Sequence, residues 1–60
     1  MKYFKGDELI IPFSSVVYVE HFDPDEIMDP VYVWTASKLL YLRGEEKLRF
    51  IREYLNYLRD

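Results

Sequence analysis

The 60-residue chain contains no cysteine. Disulfides and thiolate zinc sites are therefore excluded, and with them two of the usual supports of a very small domain. A single histidine cannot build a histidine-based metal site either. Glycine occurs only twice and no glycine-rich phosphate loop is present. No run approaches the roughly 18 apolar residues that would suggest a membrane span. The opening MKYFKGDEL carries charges where the apolar segment of a secretory leader would stand. The expectation is a soluble, cytoplasmic protein with no membrane contact and no cofactor.

Charge is also missing where it would be informative. Between Glu20 and Asp29 there are five acids and no lysine or arginine, whereas the stretch from Lys38 onward has six basic and four acidic residues. The net charge of −3 disfavours nonspecific binding to duplex nucleic acid, which depends on cationic side chains displacing counterions.

What the chain does have is apolar and aromatic side chains. Half of its residues are hydrophobic and 18% are aromatic, too rich for a disordered polypeptide. Sixty residues make one small domain, spanning 1–60, and a domain of that size buries only about 60% of the surface its unfolded chain exposes. With disulfides and metals excluded, a very apolar core or association must supply the stability.

The pattern along the chain predicts strands followed by one helix. Residues 2–4 and Glu8 to Ile11 read as short strands around a Lys5-Gly6-Asp7 turn. Ser14 and Ser15 mark a bend, and Val16 to Phe22 is a strand rich in β-branched and aromatic residues. DPDEIMDP, residues 23–30, reads as a loop because each proline disfavours helix in the residue before it. Val31 to Thr35 and Leu39 to Leu42 read as a hairpin reversing at Ala36-Ser37-Lys38. A helix is predicted over about 45–59, its first turn carrying Glu45 and Glu46 where the helix dipole favours acids. The expected fold is α+β: a small antiparallel β-meander of three to five strands with one C-terminal helix packed on one face.

Strand alternation places Val17, Val19, Val31 and Val33 on one side and Val16, Tyr18, Phe22, Tyr32 and Trp34 on the other. On the helix, Leu48, Ile51, Leu55 and Leu58 form one stripe, and Phe50, Tyr54 and Tyr57 a second beside it. Together the stripes cover about half of the circumference, more than the ~100° a surface helix needs. The aliphatic sheet side suits the Leu/Ile stripe, which leaves the aromatics over. The expected partner interface is Tyr18, Tyr32 and Trp34 on the sheet with Phe50, Tyr54 and Tyr57 on the helix, Phe22 being a weaker member. The expected role is a non-catalytic protein-interaction or self-associating domain, with a homo-oligomer (a dimer first) or another protein as partner.

Three other readings compete. Asp23, Asp25, Glu26 and Asp29 offer oxygen ligands to a cation, but the spacing is not that of an EF-hand, and a solvated loop explains the same residues. His21 lies between Glu20 and Asp23 yet has no matching nucleophile, since Ser14 and Ser15 read as turn residues, so no enzymatic activity is expected. The alternative function is that of a small nucleic-acid-binding or transcription-regulatory accessory protein. Its candidate contacts are Arg49, Arg52 and Arg59 on the polar arc of the helix.

Overall fold

The computed structural model describes residues 2–60. Five strands and one helix follow each other in chain order: β1 (Tyr3–Lys5), β2 (Ile10–Pro12), β3 (Val16–Glu20), β4 (Val31–Thr35), β5 (Leu39–Leu42) and α1 (Gly44–Arg59). The architecture is α+β, as the sequence pattern predicts. The strands divide into two antiparallel sheets, a β1–β2 hairpin and a β3–β4–β5 meander, joined by a single 3-10 turn at Phe13–Ser15. No helix among the described residues is long and apolar enough to cross a membrane.

Local chemistry fixes each connection. The Gly6 N–H donates to the Leu9 carbonyl at 2.8 Å and closes the first hairpin. That bond draws Glu8 and Leu9 into the turn, so β2 begins later than the apolar pattern suggests. The Ser15 hydroxyl donates to the Pro12 carbonyl at 2.7 Å and holds the 3-10 turn. Strand β3 ends at Glu20 because His21 adopts a φ of 60°, in the left-handed region that few non-glycine residues enter. At the β4–β5 reversal the Thr35 hydroxyl accepts the Lys38 N–H at 3.1 Å. Gly44, with a φ of 59°, lets β5 turn into the helix without steric cost.

The core lies between the sheets and α1. Phe4, Ile11, Phe13, Val31, Val33, Leu42, Phe50 and Ile51 are fully buried. Phe50 is its centre: its ring meets Phe4 edge-on at 5.3 Å and Phe13 at 6.2 Å.

Two expected faces are corrected. Val17 does not join the aliphatic side. Val16 pairs with Thr35 but Tyr18 pairs with Trp34, so one extra residue is inserted in β3 and the alternation resets there. Val17 is left 68% exposed while Val16 packs on the core beside Val19, Val31 and Val33. On the helix the two stripes exchange roles. Phe50 and Ile51 are buried and Tyr54 and Tyr57 pack against the core, whereas Leu55 and Leu58 are exposed and Leu48 is only partly covered. The reason is Phe13: its ring lies 5.7 Å from Tyr54 and 5.0 Å from Tyr57 and draws the aromatic side of the helix inward. Leu58 sits a turn from the helix end, where little of the sheet remains beneath it.

Candidate interaction surfaces

The outer face of the β3–β4–β5 sheet is the largest ordered array of uncovered aromatic side chains. Registration builds it in two rows. Tyr18, Trp34 and Leu39 stand opposite one another, and Glu20, Tyr32 and Tyr41 form the next row. Residues directly opposite on an antiparallel sheet share a face. The alternate residues Val19, Val31, Val33, Leu40 and Leu42 point to the core, so α1 covers the inner face and these two rows are left outside. The rings hold one another in place. Tyr32 meets Tyr41 edge-on at 5.2 Å and His21 at 4.7 Å, and the Trp34 Nε1–H donates to Glu20 Oε1 at 3.2 Å. Tyr18 and Tyr41 are more than half exposed and Trp34 is 40% exposed.

Three of the six residues expected at an interface, Tyr18, Tyr32 and Trp34, therefore share this face. The other three do not. Phe50 is fully buried, and Tyr54 and Tyr57 stack along the inner side of the helix at 6.2 Å from each other. Phe22 leaves the outer set as well: the His21 backbone reversal turns the chain, and Phe22 packs on the core. Tyr41 was not among the expected contacts, although it follows Leu40 with the alternation that places Tyr32 and Trp34 outward.

The acidic loop at 23–30 already holds a cation, and it comes from the protein. Lys47, on the inner side of α1, is only 1% exposed. Its ammonium donates to the Glu26 carbonyl and, at 2.8 Å, to the Asp29 carbonyl, and lies 3.8 Å from the Glu26 carboxylate. A buried ammonium needs such partners, because desolvation without them costs several kcal/mol. Glu26 braces the loop from within: its carboxylate accepts the Met28 N–H at 2.5 Å and the Asp29 N–H at 2.8 Å. The Asp29 N–H, then the Met28 N–H, and with them the Lys47 ammonium, hold the Glu26 carboxyl below the usual carboxylate range. No group of three or more His, Asp or Glu side chains among the described residues is arranged to hold a metal ion.

The basic residues of the helix do not act as one patch. The Arg49 guanidinium donates to the Lys5 carbonyl at 2.7 Å and lies 5.1 Å above the Phe4 ring, where it ties α1 to β1. Arg52 and Arg59 remain exposed. At the helix start, Glu46 reaches the first hairpin and accepts the Asp7 N–H at 2.7 Å. His21 rests against Tyr32, away from the Ser15 hydroxyl that the 3-10 turn occupies. No protein-family model matches the chain, and no curated protein or solved structure is detectably similar to it.

Proposed function

We propose that the chain is a non-catalytic protein-interaction domain that self-associates through the outer face of its three-stranded sheet. The observation that carries this reading is the contiguous row of Tyr18, Trp34, Tyr32 and Tyr41 on a face that no other part of the chain covers. Tyrosine and tryptophan are the residue types that most often dominate binding energy at protein interfaces. Their rings are already braced by neighbours, so little side-chain freedom is lost on contact. A second copy offers the same flat aromatic surface, and sheets pack face to face in this way at about 10 Å.

The size of the face sets the expected strength. Three strands about 4.8 Å apart, two outward rows deep, present a few hundred Å². A standard interface buries about 800 Å² on each partner. A contact through this face alone belongs to the weak, reversible class, with dissociation in the micromolar range or above.

The test is a concentration series followed by sedimentation and by the emission of Trp34, the single tryptophan. The parent chain should associate with a blue shift as Trp34 loses water. The double variant Tyr18→Ser/Tyr41→Ser, which changes only exposed rings, should keep its fold and weaken association at least tenfold. Association unaltered in that variant, or a parent that stays monomeric to millimolar concentration, would sink the reading. A complex with single-stranded nucleic acid that weakens steeply with salt would replace it by the alternative through Arg52 and Arg59.

A further inference from the structure

The loop that Lys47 clasps ends in two apolar side chains held out in solvent. Ile27 is 43% and Met28 81% exposed. Their backbone is fixed on both sides, because the carbonyls of Glu26 and Asp29 are both bound by the Lys47 ammonium and the Met28 and Asp29 N–H groups are bound by the Glu26 carboxylate. A flexible loop would be free to fold its methionine inward. This one is braced so that the methionine stays out, and a preorganised apolar tip loses little entropy on binding. Exposed carboxylates flank the tip at Asp25 and Asp29.

At the other end of the meander is a cleft with the complementary character. It lies between β2 and the β4–β5 reversal and has a volume of about 260 Å³. Ile10, Pro12 and Leu40 supply apolar walls, and Ser15, Ser37 and Lys38 stand at the rim. Its volume is below the roughly 300–1,000 Å³ of sites for drug-sized ligands, and suits one or two side chains. Among the described residues the Lys38 ammonium is in no ion pair. Tip and cleft lie at opposite ends of β4, whose five residues span roughly 13 Å. The tip of one molecule therefore cannot reach its own cleft.

We propose that Met28 of one copy enters the cleft beside Lys38 of a second copy, with Asp25 and Asp29 of the incoming tip facing that lysine. The proposal rests on the self-association reading and adds to it the relative orientation of the two copies. Sheet faces packed about a two-fold axis parallel to the strands would set the acidic loops against each other, five carboxylates with Arg43 and Lys47 on each side. An axis across the strands sets each acidic loop over the partner's Lys38 turn, which has no acid, and forms the contact twice. Like charges brought together cost energy that the second arrangement avoids. The tip contact also supplies area that the small sheet face lacks.

The absence of native cysteine makes the test direct. Ile27→Cys and Ser37→Cys variants are mixed in equal amounts and treated with a short thiol crosslinker. The mixed 27–37 product should exceed both symmetric products several-fold, and Met28→Asp introduced into both chains should remove the excess while leaving the melting temperature unchanged. A statistical mixture, a predominance of 27–27 product, or an excess that survives Met28→Asp overturns the proposal. If mass measurements still show a Tyr18/Tyr41-dependent dimer in those cases, the sheet-face reading stands without it. A 27–37 excess that persists in Tyr18→Ser/Tyr41→Ser supports the tip contact and overturns the sheet face as the main one. A chain that never associates overturns both.

Discussion

Replacing Lys47 by methionine tests how the acidic loop is held. The stem of Lys47 is packed on the inner side of α1, and methionine preserves most of that volume. What disappears is the ammonium, with its bonds to the Glu26 and Asp29 carbonyls and its pairing with the Glu26 carboxylate. Bonds from a charged donor contribute about 1.5–3 kcal/mol each before compensation. Loss of one partner of a buried ion pair costs about 3–5 kcal/mol when the other is left in a dry interior. Here Glu26 is partly exposed and the freed carbonyls can rehydrate, so the pair itself contributes little. Relief of ammonium desolvation offsets a further part. The expected net destabilisation is about 2 kcal/mol, which for a domain of this size lowers the melting temperature by about 8–16 °C. Thermal unfolding followed by circular dichroism reads the shift, and amide exchange at Ile27 to Asp29 should accelerate. A Lys47→Met variant as stable as the parent, with unchanged loop exchange, would refute the reasoning, because desolvation would then outweigh the loop contacts.

Other perturbations separate core from surface. Phe50→Ala should cost about 3–5 kcal/mol, as expected for a phenylalanine buried among aromatic rings, whereas Leu58→Ser, at 60% exposure, should stay within about 0.5 kcal/mol; denaturant titration of both variants checks the order. Gly6→Ala places a methyl group against the Glu46 carboxylate, 3.0 Å from Leu9 and 3.2 Å from Phe4. Glu46 cannot retreat without releasing the Asp7 N–H, so a loss of about 1–3 kcal/mol is expected in the same assay. Acid should loosen the loop before the rest of the fold. Since the folded Glu26 carboxyl lies below its ordinary value of 4.5, its contribution is complete above that pH and is lost as pH falls through the lower folded value. Amide signals of Met28 and Asp29 recorded from pH 6 to pH 2 follow it, and protection that persists unchanged to pH 2 would contradict the assignment.

The element order and class were legible because each depends on local chemistry: β-branched runs, the prolines of the loop, Gly44 and the acidic first helical turn. The strands β4 and β5 have the boundaries that alternation and turn residues imply. Facing was less legible, and for nameable reasons. A single inserted residue at Val17 exchanges the two sides of β3 at its start, and no residue type announces it, since valine suits either side. The helix carries apolar side chains around half its circumference, so periodicity alone could not say whether the leucines or the aromatics turn inward. Phe13, which settles the matter, lies more than 30 residues earlier in a 3-10 turn. Lys47 was invisible as a core residue because lysine is rarely buried; the signal was its position between the carboxylate-rich loop and Phe50 and Ile51, one turn further on. Tyr18, Tyr32 and Trp34 were found from strand alternation because the inserted residue precedes them.

The central claim is that the sheet's aromatic outer face binds a second copy. The most direct measurement is absolute mass by light scattering from micromolar to millimolar concentration, on the parent chain and on Tyr18→Ser/Tyr41→Ser. The account predicts a rise from 7.4 kDa toward twice that mass in the parent, displaced at least tenfold in concentration in the variant. A parent that remains at 7.4 kDa throughout, or a variant that rises along the same curve, would contradict it.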